Sequence, residues 1–392
     1  MSTTLPDDFF KWLVELRRWF HRFPEPAYKE VKTAAKICET LDTLKVPFQT
    51  GVGGTGVVAK LSAKRTGHVI AYRTDMDALT LEEKNDVPYK SRNQGFMHAC
   101  GHDGHMTIAL GIIRWLIENR WYQNGSGEIV FIFQPAEEGG AGALSMLKTG
   151  VFDNEPIKAV FAGHMYPELP MGHIRLAPEI SNAAADTLFI RLKGKGGHGA
   201  HPHHCKDPIV AGAYLITQLQ SLISRELPPL ESAVITIGRF HAGTASNIIP
   251  EEAVLEGTLR TLKPNIRKEI IKRIEGMVEG TARSYGILAT LNVIEGHPVL
   301  VNDSVLVEHT VTCAKEVLGV DNVHTGLPRM GAEDFAYFCQ KWGGVMVGIG
   351  CHDPGKGFQY GLHSPYFDLD ERVLEVGVCL FGNILTKYLE IP

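Results

Sequence analysis

Apolar residues recur at helical spacing from about Leu5 to Phe23, where Pro24 stops the pattern, and again from about Lys29 to Leu44. Two amphipathic helices are therefore expected to open the chain. The period then shortens to that of strands. The run from Gly54 to Leu61 reads as one strand and His68 to Arg73 as another; after a helix-like run from Gly104 to Asn119 comes a third, Glu128 to Gln134. A further helix closes at Gly150, a residue suited to the left-handed position beyond a helix end, and Ala159 to Gly163 reads as the next buried strand. Strands alternating with helices predict an α/β domain with a mainly parallel sheet covered on both faces.

Between about Ala184 and Gly296 the rhythm differs. It predicts a strand (Thr187 to Lys193), a helix (Pro208 to Arg225), two strands (Ala233 to Phe240, Ala253 to Leu262), a helix (Asn265 to Tyr285) and a strand (Leu288 to Ile294). That order is the split β-α-β pattern of a ferredoxin-like α+β sandwich. The α/β pattern then resumes with helices from about Val305 to Leu318 and near Asp334 to Lys341, a strand from Gly344 to Ile349, and a last helix from about Asp370 to Leu389. The expected organisation is a mainly parallel α/β domain of residues 1–183 and 297–392, interrupted by an inserted ferredoxin-like α+β domain of residues 184–296. A chain of 392 residues exceeds what one hydrophobic core usually organises.

Composition narrows the function classes. Apolar residues at 44% and charged residues at 21% are ordinary globular usage. The net charge of -5 is dispersed, and no basic run with interleaved aromatics suggests a nucleic-acid groove. No stretch approaches the roughly 18 apolar residues of a membrane span, and the N-terminus lacks the pattern of a secretory signal. Seven scattered cysteines without paired spacing argue for a reducing compartment, read here as the cytoplasm. A small-molecule partner is expected, with neither nucleic acid nor membrane.

Unusual residues gather at three expected strand ends: Thr74-Asp75-Met76-Asp77, Pro135-Ala136-Glu137-Glu138, and His164. In open α/β sheets ligands collect outside the carboxyl ends of strands, so these groups should converge on one crevice. Met97-His98-Ala99-Cys100-Gly101-His102-Asp103-Gly104-His105 adds a dense run of metal-ligand types, and the glycine between Cys100 and His102 lets both side chains face one ion. A pair of adjacent carboxylates at a sheet end repels unless positive charge lies beside it. Hydrolysis divides such a pair into a ligand and a general base, an assignment that the residues alone leave open. Asp75 and Asp77 are expected to orient ligands through hydrogen bonds.

Taken together, His21-Arg22-Phe23-Pro24-Glu25, Arg73-Thr74-Asp75-Met76-Asp77-Ala78-Leu79, the Met97–Asp103 run, Gln134-Pro135-Ala136-Glu137-Glu138-Gly139, Gly194-Lys195-Gly196-Gly197-His198, Ser246-Asn247-Ile248-Ile249-Pro250, Glu333-Asp334-Phe335-Ala336, and His363 before Phe367-Asp368 resemble the M20 metallopeptidase family. Within it the chain is similar to the branch of hippurate hydrolases, N-acyl-amino-acid aminoacylases and auxin-conjugate hydrolases. The resemblance implies two divalent ions (zinc, manganese, cobalt or nickel) held by Cys100, His102, Glu138, His164 and His363, with the Cys100 thiolate bridging. It implies Glu137 as general base, His198 as the group stabilising the tetrahedral intermediate, commonly from the other subunit of a dimer, and Asn247 and Arg260 as substrate contacts. The activity it implies is hydrolysis of the amide bond of an N-acyl amino acid by metal-activated water, with residues 1–183 and 297–392 as the catalytic domain and 184–296 as a lid or dimerisation domain; the alternatives are a carboxypeptidase acting on short peptides and an inactive dimeric binding relative. His201 stands where the family usually carries an apolar residue, and His203 and His204 follow it; they are read as surface, with substrate contacts or a stray metal site as the alternatives. Thr74 and Ala332 stand where Ala and Ser are more familiar.

Overall fold

A computed structural model describes residues 4–391, and the chain forms two compact units. The first runs through Ser181 and takes in Val301–Leu327 and the chain from Asp334 onward; the second comprises Asn182–Leu300 and Pro328–Glu333.

The first unit is built on an eight-stranded sheet in the order Phe48–Val52, Gly56–Ser62, Ser126–Gln134, Arg65–Asp75, Ile157–Pro170, Gly344–His352, Ile174–Leu176, Val323–Thr325. Four of its seven pairings are parallel, including the three joining its central strands. The strand Gly56–Ser62, expected from its apolar run, pairs antiparallel on both sides. Eight consecutive residues from Gly344 to Cys351 are buried. Because successive side chains point to opposite faces, such a run means that both faces are covered.

The helices Asp7–Arg22, His102–Glu118 and Arg372–Leu389 pack on one another, and the latter two also pack on this sheet. Their contact is close because Gly111 lacks a side chain: a Cβ there would lie 2.5 Å from Val378 and 2.8 Å from Leu13. The other helix starts follow local chemistry. Asp303 caps Ser304–Leu318 by accepting the Val305 and Leu306 N–H groups.

One strand departs from expectation in a way that matters for the site. The strand expected to end at Gly163 runs on to Pro170, so His164 lies inside it, paired with Gly348. The neighbouring strand Arg65–Asp75 pairs with it only as far as Arg73 and Ala162. His164 therefore still emerges beside the carboxyl end of that neighbour, which is what placed it at the crevice.

The second unit is a four-stranded antiparallel sheet in the order Ala233–Ala242, Glu252–Thr261, Ala184–Lys193, Leu288–Glu295, with helices Pro208–Ser221 and Pro264–Tyr285. This strand order, with one helix after the first strand and one after the third, is the ferredoxin-like arrangement. Alternate positions of Glu252–Thr261 are buried, as a sheet with one face on a core requires. That core contains Leu188, Ile190, Leu255, Leu215, Ile270 and Ile274.

Candidate metal centre

The strand ends and the loop ahead of helix His102–Glu118 converge in the first unit. Ligand-type atoms of Cys100, His102 and His164 lie within 4.8 Å of one another, as do those of Cys100, Glu138 and His363, and those of His102, Glu137 and Glu138. Cys100 thus belongs to two donor groups at once. All five residues expected as ligands, and the expected base, are brought together.

Local backbone geometry explains how. Gly101 adopts a left-handed φ of 85°, turning the chain between Cys100 and His102, and a Cβ on it would meet the Met165 side chain at 2.7 Å. Ala136 and His363 are also left-handed, at φ 54° and 62°, a conformation that costs a residue with a Cβ about 1–3 kcal/mol and persists only where surroundings impose it. For Ala136 the constraint is Glu30, whose Oε1 accepts its N–H at 2.9 Å. For His363 it is the bond from its own N–H to the carbonyl of Ala99 at 2.8 Å. Each of these turns delivers a polar side chain to the crevice.

Asp77 is the organiser. Its carboxylate accepts the N–H groups of Glu137 and Glu138 at 3.0 and 2.9 Å, and its backbone carbonyl accepts from His102 Nδ1 at 2.8 Å. With Nδ1 so committed, His102 Nε2 is left buried with no hydrogen-bond partner. His164 repeats the device: Nδ1 donates to the Met165 carbonyl at 2.9 Å, and Nε2 faces Cys100 Sγ at 3.6 Å. An imidazole whose distal nitrogen donates to a carbonyl, with its near nitrogen held toward thiol and carboxylate, is the usual dress of a metal-ligating histidine. His363 Nε2 stands 3.2 Å from Glu138 Oε1 without hydrogen-bond alignment, so that oxygen too is buried and unpartnered by hydrogen bonds.

His105 belongs to the same run but is differently used. Its Nδ1 donates to Asp75 Oδ1 at 2.7 Å and its Nε2 accepts the Met165 N–H at 2.9 Å, which commits both ring nitrogens. Asp75 also receives Arg73 Nη1 at 2.9 Å. Both residues therefore brace the site.

The electrostatics ask for a cation. Burial pushes the Cys100 thiol well up, and Glu138, Glu137 and Asp75 push it further. Burial alone would lower His102, but Asp75 and Asp77 carry it up to about 10. Burial and His105 take His164 down to about 3, the neutral form in which it can ligate. Glu138 is held below its usual range, against burial, by His363 and His102. Borderline sulfur, imidazole nitrogen and carboxylate oxygen around unsatisfied buried atoms fit zinc-like divalent ions.

Several further residues of the motifs brace the site from behind the ligand-type side chains. Arg73 Nε donates to Gln134 Oε1 at 2.7 Å and its Nη2 to Asp334 Oδ1 at 3.1 Å, locking two strand ends to the segment that returns after the second unit. Behind His102, Asp103 receives Arg17 at 2.8 Å and His21 at 2.7 Å, and His21 also meets Glu83 at 3.2 Å. Although burial and Arg17 push the His21 pKa down, its hydrogen bonds with Asp103 and Glu83 carry it up to about 9. A histidine raised above its unfolded value of about 6.5 contributes stability that is full below that pH and lost as pH rises through its folded value. Urea unfolding is therefore expected to show up to about 3 kcal/mol of stability lost between pH 6.5 and 9.5, and His21→Asn should flatten that slope. An equal slope in both proteins would refute the assignment.

In the second unit, His198 pairs with Ile248 in a two-residue ladder, and Gly199 N–H donates to the Asn247 carbonyl at 2.8 Å, so His198 and Asn247 are neighbours. Arg260 is half-buried on Glu252–Thr261, facing Ala185 and Val234 in register, at the opposite end of the sheet from Glu252 and Lys193.

Residues 71–387 match the model of peptidase family M20/M25/M40. The chain belongs to that family. It is 39% identical to the putative amidohydrolase YhaA of Bacillus subtilis, over 97% of this chain and 96% of that one. It is 37% identical to the N-acetyldiaminopimelate deacetylase of Brevibacillus brevis, over 95% and 97%. Among solved structures it resembles the Bacillus subtilis YXEP protein, described as a dinuclear metal-binding peptidase of family M20, with a TM-score of 0.85 at 32% identity over 98% of this chain and 99% of that one.

Proposed function

We propose that the chain is a two-metal amidohydrolase that cleaves the amide bond of an N-acyl amino acid of the N-acetyl or hippurate-like kind. Cys100, His102, Glu138, His164 and His363 would hold the two ions in this reading, and Glu137 would be the general base. One observation carries it: Cys100 Sγ is shared by two donor groups, one with His102 and His164 and one with Glu138 and His363. Zinc, manganese, cobalt or nickel bound there would polarise the scissile carbonyl and acidify a water.

The protein's own groups do the rest. Glu137, 8% exposed and with its backbone fixed by Asp77, takes the proton of the attacking water and passes it to the leaving nitrogen. His198 Nδ1 accepts the Ala200 N–H at 3.1 Å, so a neutral ring carries its proton on Nε2, ready to donate to the oxygen that gains charge. Asn247 stands beside it. Arg260 offers a planar fork for the amino acid carboxylate. The deacetylase relative supports an N-acyl amino acid substrate.

A homodimer is the assembly that the second unit's dimensions support in this reading. Along Glu252–Thr261 the seven steps from Ala253, near the His198 end, to Arg260 span roughly 23 Å at about 3.3 Å per residue. One small substrate cannot touch both residues of a single copy, which supports His198 and Asn247 acting on the substrate of a partner subunit. Mixing a His198→Ala protein with a Glu137→Gln protein is then expected to restore activity through hybrid dimers, one of whose sites is intact. No recovery after verified subunit exchange would rule out action in trans. The seven cysteines are free thiols, which supports a reducing, cytoplasmic setting. Among the described residues no helix is long and apolar enough to cross a membrane.

The substrate class is tested by loading the protein with each metal and measuring amine release from N-acetyl amino acids, hippurate and dipeptides. Faster cleavage of the acylated amino acids is expected; cleavage of dipeptides alone would overturn the reading.

A further inference from the structure

The segment from Lys195 to Lys206 is a closed loop in the second unit. Its end residues exchange both backbone hydrogen bonds, at 3.0 and 2.9 Å. Inside it, His201 N–H donates to the His198 carbonyl at 2.8 Å, His204 N–H to the His201 carbonyl at 3.1 Å, and Cys205 N–H to the Pro202 carbonyl at 3.0 Å. A Cβ on Gly197 would lie 2.5 Å from Cys205 Sγ, so the two limbs of the loop touch. From His201 to Cys205 the backbone is thus spent on the loop's own turns.

What the loop presents outward is imidazole. His201, His203 and His204 are exposed, with ring centroids 4.0 Å apart for His203 and His204, 6.0 Å for His201 and His203, and 6.4 Å for His201 and His204. Exposed side chains change rotamer in picoseconds to nanoseconds. As placed, the three rings do not bring a nitrogen each within 4.8 Å of one another, so side-chain rotation must close them to the roughly 2.0–2.1 Å nitrogen distances of a shared ion. The proposed mechanism uses none of the three, and each offers imidazole nitrogen as a donor.

We propose that His201, His203 and His204 form a further metal site, distinct in its residues from the centre around Cys100, that takes a borderline divalent transition cation such as zinc, nickel or copper. Imidazole-only ligation selects these ions over magnesium or calcium, which prefer oxygen. The site lacks a thiolate or carboxylate ligand and must order three mobile side chains, so it binds more weakly than the Cys100 centre. Its ion would sit near His198, whose ring centroid is 5.3 Å from that of His201.

The test is equilibrium dialysis of the untagged, metal-loaded protein against rising zinc, with bound ions counted. Wild type should take up one more ion per chain at high zinc than His203→Ala/His204→Ala, and His201→Asn should weaken that uptake. Cys100→Ser, altered only at the other centre, should keep it. Equal uptake by wild type and the double variant at every zinc concentration would overturn the proposal, as would loss of the extra ion in Cys100→Ser alone. Wild type and the double variant share the Cys100 centre, so the difference between those two does not depend on how that centre is read.

Discussion

Glu137→Gln is expected to lower kcat by about 10²–10⁴-fold, the usual contribution of a positioned general base, while leaving metal content and KM near those of wild type. The substitution keeps the shape of the side chain and the backbone bond from Glu137 to Asp77 at 3.0 Å. What it removes is the ability to accept a proton. The neighbouring Glu138→Gln should behave in the opposite order, losing metal first and activity as a result, because its Oε1 is the buried oxygen beside His363. Metal analysis and steady-state kinetics on the two variants separate the roles. A Glu137→Gln protein with undiminished turnover would reject Glu137 as the base, and one stripped of metal would make it a ligand instead.

Cys100→Ser should sharply weaken metal binding, because it removes the thiol that joins the group with His102 and His164 to the group with Glu138 and His363. Loss of an outer hydrogen-bond partner typically costs 10–100-fold in metal affinity, and loss of a bridging ligand should exceed that. In the metal-free protein burial and three carboxylates hold the Cys100 thiol protonated, and His102 is charged because Asp75 and Asp77 outweigh its burial. A thiolate and a neutral imidazole are what an ion binds, so metal uptake must expel both protons. Calorimetry in buffers of different ionisation enthalpy should therefore count one proton fewer for Cys100→Ser than for wild type. Unchanged metal occupancy in the serine variant would mean that the thiol is not a ligand.

The central strands were readable because they are covered on both faces and so form long apolar runs, as in Ser126–Gln134 and Gly344–His352. The short strands Ile174–Leu176 and Val323–Thr325 were not. Three residues carry no period, and their pairing in the sheet is decided by what lies alongside. At the site the same distinction holds. Cys100, His102 and the glutamate pair announce themselves by type and spacing, whereas His164 and His363 are single residues whose meaning depends on the chain brought beside them. His105 looks like a ligand in the sequence, and only its two hydrogen bonds show that both nitrogens are occupied. Glu30 gave no signal at all, since a lone acid ahead of a helix is ordinary, yet it holds the left-handed turn at Ala136.

The strand Gly344–His352 lies inside the large sheet, between Ile157–Pro170 and Ile174–Leu176, yet the chain reaches it only after the whole of Asn182–Leu300. Synthesis runs from the N-terminus, and domains fold as units when complete. On the ribosome the second unit can thus finish first, while the first waits with a gap in its middle and without His363. Until His363 has been made, the nascent chain lacks one member of the group that Cys100 forms with Glu138 and His363, so that group can close only after all of Asn182–Leu300 has left the ribosome.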